Sequence, residues 1–215
     1  MPKSTYLNLP EAKRSAITQI LLEEFAAQEY KVVSISRIVE RAGIAKGSFY
    51  QYFEDKADAY LFLLDLAMQE KVAFMNSAPQ DPQGDLFTTL RWMMAAGTRF
   101  EFSNPLFAQI GYRAAFEDVP LPDETKQLME SGTRIFFEDQ IKAGIDDGSL
   151  KPDLDPQWAA FILDATFNNL GRRIMENFEI SPQSMAQKGA ASFADLEIQS
   201  ALEAVISILE QGFKA

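Results

Sequence analysis

Residues 35–53 constrain the fold of this chain more than any other stretch. Apolar residues at 35, 38, 39 and 42 follow the i, i+3, i+4, i+7 spacing of one helical face. Gly43 comes next, and glycine supplies the conformational freedom that a tight turn between helices needs. The apolar pattern then restarts at Ile44 and continues to Phe53. The stretch therefore predicts two short helices around a tight turn.

The second of these helices carries polar and aromatic groups where a buried helix would carry aliphatic ones. The residues that can face outward between its apolar anchors are Lys46, Gly47, Ser48, Tyr50 and Gln51, whereas Phe49 and Phe53 are assigned to the core. This layout is that of a helix-turn-helix, whose second helix enters the major groove of double-stranded DNA.

The run from Ala42 to Lys56 resembles the signature of the TetR/AcrR family of bacterial transcriptional regulators. Its most specific part is Lys-Gly-Ser-Phe-Tyr-Gln-Tyr-Phe at residues 46–53, followed three residues later by Lys56. The resemblance covers roughly residues 10–60. It implies an all-α fold with a helix-turn-helix DNA-binding domain at residues 1–55 and a helical effector-binding and dimerisation domain at residues 56–215.

The resemblance also implies a function. A regulator of this kind, by default a repressor, would bind a palindromic operator as a homodimer and be released by a small-molecule effector. In the family, the positions of Ser34, Lys46, Tyr50, Tyr52 and Lys56 commonly contact phosphates or the groove.

The start of the second helix favours a phosphate for physical reasons as well. The unpaired amide protons at Lys46 and Gly47 and the positive end of the helix dipole attract anions, and Gly47 lets the backbone come close. Gln51 is predicted to read a base, because its amide can pair with adenine through two hydrogen bonds. Glu54 and Asp55 conflict with this assignment, since carboxylates repel phosphates.

Four of these residues have structural alternatives. Ser34 can cap the helix that follows it, with its hydroxyl accepting an amide proton. Tyr52 can be a core aromatic residue, and Lys46 and Lys56 can be ordinary solvated lysines.

Charge is divided unevenly along the chain. Through Lys56 there are eight Lys and Arg against seven Asp and Glu, a net charge of +1, whereas the rest has twelve against twenty-four, a net charge of −12. Only the N-terminal part can therefore approach phosphates without strong repulsion. An acidic surface can equally serve solubility alone.

Composition excludes several kinds of chemistry. The chain has neither Cys nor His, which removes disulfides, thiolate metal sites and the usual general base. We expect no cofactor, no metal and no enzymatic activity, although a metal bound by carboxylates such as Asp146 and Asp147 is one rival hypothesis. A helical interaction module without DNA binding is another. No apolar run is long enough for a membrane span and the N-terminus lacks a signal-peptide core, so we expect a cytoplasmic protein.

The pattern of apolar residues predicts about nine helices, three of them N-terminal, and no strand. The first runs from about Pro10 to Gln28, and Asp55 and Asp155 are placed to cap later helices. Further helices are expected to begin near Leu86, at Pro105 and at Asp123, the last of these ending at Gly148, and a final helix follows residue 194. Residues 77–84 and 179–194 are predicted to be non-helical, and the helix from Pro105 to end before Pro120.

Two further sets of residues follow from the resemblance. An apolar or amphiphilic effector would contact Trp92, Met93, Phe100, Phe107, Tyr112, Phe116, Phe137, Phe167, Asn168 and Arg172. The dimer interface would lie in the last two helices, at Phe161, Leu170, Ile174, Leu202, Val205 and Leu209. All of these apolar side chains could instead pack inside the core, and Arg172 could lie on a solvated face.

Overall fold

A computed structural model describes residues 1–78, 84–116, 119, 121, 123–179 and 196–215, without the side chains of 116, 124–132, 175 and 196. The described residues form ten helices and no strand. In chain order they are α1 (Ser4–Leu7), α2 (Glu11–Ala27), α3 (Ile35–Arg41), α4 (Lys46–Tyr52), α5 (Lys56–Ser77), α6 (Leu86–Ser103), α7 (Pro105–Phe116), α8 (Asp123–Asp146), α9 (Pro156–Asn177) and α10 (Leu196–Phe213). The predicted non-helical residues 79–83 and 180–194, and the predicted helix end before Pro120, lie outside the described residues.

The chain packs as two compact units. One contains Met1–Phe74 and Asn104–Leu121, and the other contains Met75–Ser103 and Pro122–Ala215. The first unit thus holds α1–α4, most of α5, and α7, while the second holds α6 and α8–α10. This division describes packing, and the functional boundary between residues 55 and 56 stays a prediction.

Aromatic rings fill the centre of the first unit. Its fully buried large side chains are Tyr6, Leu21, Phe25, Ile38, Phe49, Phe53, Tyr60, Leu63 and Ile110. The rings of Tyr6 and Phe53 lie 4.8 Å apart between centroids, and those of Phe25 and Tyr60 lie 5.4 Å apart. On α2 the predicted apolar face is buried at Ile17, Leu21 and Phe25, with Ile20 half-buried.

The second unit has an aliphatic and aromatic core shared by its four helices. The buried residues of this cluster are Leu86, Phe87, Leu90, Met94, Phe137, Ile141, Leu150, Ala159, Ala160, Leu163, Ile206, Leu209 and Phe213. Phe167, Leu170, Leu202 and Val205 pack against it as half-buried residues.

Most predicted helix ends are confirmed, and three of them show the hydrogen bonds or the backbone angle that defines a helix end. Asp155 accepts hydrogen bonds from the amides of Gln157 and Trp158 at the start of α9. Gly148 has a φ of 79°, which lets the chain turn after α8. The Asp55 carboxylate accepts the amide of Asp58 at 2.8 Å, as a cap of α5 should.

Two expectations about the first unit were wrong. The hydroxyl of Ser34 makes no capping hydrogen bond at the start of α3, although Ser34 does occupy the N-cap position. The predicted number of three N-terminal helices was also wrong, because residues 1–55 contain a fourth, the four-residue helix α1. Such a short helix has no periodicity to detect, and long-range contacts hold it in place.

Candidate nucleic-acid interface

The turn between α3 and α4 has the geometry expected of a helix-turn-helix. Gly43 adopts a φ of 62°, and its amide donates to the carbonyl of Glu40 at 3.2 Å. The amide of Ile44 donates to the carbonyl of Val39 at 3.0 Å. Because a positive φ strains any residue with a Cβ atom, glycine fits this turn best. Phe49 and Phe53 are fully buried and fix α4 on the core of the unit.

One face of α4 is left open to the outside. Lys46, Gly47 and Gln51 are exposed, Ser48 is half-buried, and Tyr50 retains 44% of its accessible surface. A Cβ atom built on Gly47 would meet nothing within 4 Å, so the backbone there faces open space. Ser34 is also exposed, just before α3. These six residues are placed where a DNA backbone or groove could reach them.

Tyr52 and Lys56 have different surroundings. Tyr52 is buried, and its ring lies 5.7 Å from that of Tyr6. The ammonium of Lys56 donates to the carbonyls of Tyr30 at 2.7 Å and Val33 at 3.1 Å, and it lies 4.4 Å from the centroid of the Tyr30 ring. Burial lowers the pKa of this ammonium. Both side chains therefore make contacts within the protein.

The two carboxylates that follow α4, those of Glu54 and Asp55, also have partners within the protein. Glu54 lies 2.8 Å from the ammonium of Lys3, which compensates its charge. Asp55 caps α5 through the amide of Asp58. The repulsion of phosphates expected from these residues is reduced accordingly, because one charge is paired and the other is hydrogen-bonded to a helix N-terminus.

Three charged side chains that the sequence did not reveal as partners join α2 to α3: the buried Glu24 carboxylate and the partly exposed Arg37 and Arg41. Oε1 of Glu24 accepts from Nε of Arg37 at 3.0 Å and from Nη1 of Arg41 at 2.7 Å. Arg41 also pairs with Glu23, and the hydrogen bonds that it donates to Glu24 and Glu23 raise its pKa. The only sequence signal was a Glu beside the buried face of α2 with two Arg one turn apart on α3.

The predicted effector residues fall into three groups. Phe100 and Phe137 are buried, and Trp92, Met93, Phe107, Tyr112 and Phe167 are half-buried. Asn168 and Arg172 are exposed, and Arg172 donates to the side chain of Asn169 at 2.9 Å. The side chain of Phe116 lies outside the described residues. Phe107 and Tyr112 belong to the first compact unit, and the other described members belong to the second.

The predicted dimer residues are divided between core and surface. Leu209 is buried, and Leu170, Leu202 and Val205 pack on the core of the second unit, while Ile174 is half-buried. Phe161 is exposed, as are three other large apolar residues of the last two helices: Trp158 and Ile162 on α9 and Ile208 on α10. A groove of about 390 Å³ lies beside Trp158 and Phe161 and is also lined by Arg134, Glu138 and Gln157.

Other functions find little support in the part of the chain that the structure describes. Asp146 and Asp147 are exposed at the end of α8, where Asp147 accepts the amide of Ser149. No group of three or more acidic residues in these ranges is arranged to hold a metal ion. None of the described helices has an apolar stretch long enough to cross a bilayer.

The all-α fold and the exposed second helix of a helix-turn-helix define a DNA-binding protein of the transcription-regulator class. Residues 17–60 match the family described as "Bacterial regulatory proteins, tetR family", and residues 84–214 match "Tetracyclin repressor-like, C-terminal domain". The chain belongs to the TetR family of transcriptional regulators, which bind DNA and are not enzymes.

Individual proteins agree with this assignment. The chain is 46% identical to a TetR family transcriptional regulator from Chloroflexus aurantiacus J-10-FL, with a TM-score of 0.84 over 100% of this chain and 99% of that one. It is 26% identical over 185 residues to the HTH-type transcriptional regulator AcrR of Shigella flexneri, covering 83% of each. A putative tetR family regulator from Shewanella sp. PV-4, 18% identical with a TM-score of 0.64 over 94% of this chain and 98% of that one, shares the fold.

Proposed function

We propose that this chain is an effector-controlled regulator, a repressor by the default of its family, that acts in the cytoplasm as a homodimer on a palindromic DNA operator. The observation that carries the proposal is the exposed face of α4, where Lys46, Gly47, Tyr50 and Gln51 stand over a buried aromatic core. Side chains on a short, firmly packed helix can enter a groove without first being ordered, which reduces the entropy lost on binding.

The proposed roles follow from the surroundings of each residue. Lys46 and the amide of Gly47 contact a phosphate, with Ser34 and Ser48 as additional hydrogen-bond donors to the backbone. Tyr50 contacts the phosphate or sugar, and Gln51 reads a base edge. Tyr52 and Lys56 support this surface through their contacts within the unit.

A dimer is part of the proposal because a palindromic operator presents two copies of the same half-site. The exposed apolar residues of α9 and α10, namely Trp158, Phe161, Ile162 and Ile208, support an interface there. The rings of Trp158 and Phe161 lie 6.0 Å apart between centroids, and adjacent large apolar side chains left exposed together are typical of interaction surfaces.

The proposed effector site lies in the second compact unit, which contains α6 and α9. Two buried polar atoms in it, Nε1 of Trp92 and Oδ1 of Asp164, have no hydrogen-bond partner among the described residues. Buried polar atoms are nearly always paired, so a donor or acceptor from a bound molecule or water would suit both positions. Mass spectrometry of small molecules extracted from the purified protein tests this part of the proposal.

DNA recognition is tested by substitutions on the open face of α4. We expect Lys46→Ala and Tyr50→Ala each to weaken binding to a duplex that the wild-type protein selects from a random-sequence pool. Thermal unfolding should hardly change, because both side chains are exposed. Lys13→Ala, which changes an exposed lysine on α2, is the matched control. Unaltered gel shifts for both α4 variants would refute the assignment.

A further inference from the structure

The C-terminal end of the recognition helix α4 has carbonyl groups that must find hydrogen-bond donors outside the helix. The last four carbonyls of any helix have no partner within it. At the end of α4, the carbonyl of Phe49 accepts the amide of Phe53 at 2.8 Å. The carbonyls of Tyr50, Gln51 and Tyr52 remain, and their partners must be water or donors from elsewhere in the chain.

The N-terminal segment supplies a donor to each of these three carbonyls. The ammonium of Lys3 donates to the carbonyl of Tyr50 at 3.0 Å, and the backbone amide of Lys3 donates to that of Tyr52 at 2.8 Å. The hydroxyl of Thr5 donates to the carbonyl of Gln51. The Lys3 charge also lies at the negative end of the α4 dipole, which is favourable.

The segment is itself firmly anchored. Tyr6 is completely buried, and its ring packs against those of Tyr52, Phe53 and Phe62 with centroid distances of 5.7, 4.8 and 5.5 Å. Its hydroxyl lies 2.7 Å from that of Thr18 on α2. The donors of Lys3 and Thr5 are therefore attached to a fixed point of the core, the buried ring of Tyr6.

We infer that residues 3–6 form a positioning arm that holds the recognition helix at its C-terminal end, and that Lys3 and Thr5 set operator affinity by acting through α4. Every backbone group in the last turn of α4 is thereby bonded, which fixes the direction in which Tyr50 and Gln51 leave the helix. Lys3 has a second effect, because its ammonium pairs with Glu54 at 2.8 Å and reduces the repulsion between that carboxylate and DNA. The inference rests on the proposed role of α4 in reading DNA.

The test compares full-length variants at a temperature where circular dichroism shows each one folded. Thr5→Val removes one hydroxyl and keeps the shape, while Lys3→Met removes the charge and Lys3→Arg restores it. Ser4→Ala removes an exposed hydroxyl from the same arm and is the matched control. Dissociation constants are measured on the duplex selected by the wild type and on a random duplex, at several salt concentrations. Hydrogen exchange of the amides from Gln51 to Phe53 is followed without DNA.

We expect Thr5→Val and Lys3→Met to weaken binding to the selected duplex about three- to tenfold, as the loss of one hydrogen bond predicts. Binding to random duplex should change less, and the salt dependence of Thr5→Val should equal that of the wild type, since no charge is lost. Exchange should accelerate at the end of α4 and stay unchanged in α3. Lys3→Arg and Ser4→Ala should bind like the wild type.

Unchanged affinity and unchanged exchange in both variants would overturn the inference. It would also be overturned if Lys3→Met alone weakened binding, with the salt slope reduced by about 0.9, because Lys3 would then be a direct phosphate contact. If the wild-type protein selects no duplex, the proposed function fails instead. The exchange measurement still decides whether the arm holds α4 in that case, because it needs no DNA.

Discussion

Lys46 and Lys56 belong to the same sequence signature, yet their ammonium groups have different partners. Lys46 is exposed at the start of α4. The ammonium of Lys56 is bonded to the carbonyls of Tyr30 and Val33, and burial lowers its pKa. A cation already surrounded by carbonyls would have to give up those bonds to reach a phosphate. We therefore expect the two lysines to contribute to DNA binding in different ways.

The salt dependence of binding distinguishes these two contributions. Lys46→Met should reduce the slope of log affinity against log salt by about 0.9, the value for one lost phosphate contact. Lys56→Met should leave the slope unchanged and lower the free energy of unfolding by about 1–2 kcal/mol, since it removes charge-assisted hydrogen bonds. Fluorescence anisotropy gives the slopes and urea unfolding gives the stability. Equal reductions in slope would identify Lys56 as a phosphate contact.

The exposure of the site residues on α4 could be predicted from the sequence, but the hydrogen-bond partners of several other site residues could not. The exposure of Lys46, Gly47 and Gln51 follows from helical periodicity alone, because their neighbours Phe49 and Phe53 must be buried. The ammonium of Lys56 binds the carbonyls of Tyr30 and Val33, more than twenty residues earlier in the chain. No local sequence pattern encodes such a contact. Arg37 and Arg41 on α3 likewise make the burial of Glu24 possible.

At the scale of helices, Glu24 joins α2 to α3. Its side chain is 2% exposed and is shared by Arg37 and Arg41. We expect Glu24→Gln to destabilise the protein by about 1–3 kcal/mol, because two guanidinium groups lose their buried counter-charge. Glu23→Gln is the matched control and should cost less than about 1 kcal/mol, since that side chain is 37% exposed. Urea unfolding measures both, and equal effects would show that the burial of Glu24 is unimportant.

Arg91 forms a second link between helices, from α6 to α10. Its Nη2 lies 2.7 Å from Oε1 of Glu203 and 2.6 Å from Oε2 of Glu210. The hydrogen bonds from Arg91 lower the pKa of both carboxyl groups. A carboxyl group with a lower pKa in the folded state contributes stability above its unfolded pKa. That contribution is lost as the pH falls through the folded value.

This linkage predicts the acid sensitivity of the second unit. Between about pH 5 and pH 3, the wild-type melting temperature should fall more steeply than that of Arg91→Met. The difference in stability at neutral pH should be about 1 kcal/mol, because both pairs lie at or near the surface. Calorimetry at a series of pH values measures the two curves. Parallel curves would mean that the carboxyl groups titrate independently of Arg91.

The helices themselves were largely predictable because their ends are encoded locally. Asp155 caps α9, Pro105 begins α7 and Gly148 follows the end of α8, each through chemistry contained within a few residues. The two wrong expectations, the Ser34 cap and the number of N-terminal helices, concern features that the local sequence does not determine. Ser34 occupies its cap position without the expected hydrogen bond, and α1 exists because Tyr6 inserts between distant aromatic rings.

At the scale of the whole molecule, α9 and α10 each have one apolar face in the core and further apolar residues outside it. Leu163 and Ile206 are buried in the second unit, while Phe161 and Ile208 remain 52% and 69% exposed. Helical periodicity identifies the helices as amphipathic, but it does not separate the residues that fill the core from those that stay at the surface. This explains why the predicted interface mixed both kinds.

The exposed residues make the proposed dimer testable without knowledge of the operator. We expect the double variant Trp158→Ser and Phe161→Ser to shift the protein from dimer to monomer in sedimentation equilibrium at micromolar concentration, since large aromatic anchors dominate interface energies. Its circular dichroism spectrum should stay helical, because both side chains lie outside the core. Leu209→Ser should act differently, because Leu209 belongs to the core cluster: this change should lower the melting temperature through loss of packing. A double variant that remains dimeric, or a wild type that sediments as a monomer, would place the interface elsewhere or exclude the dimer.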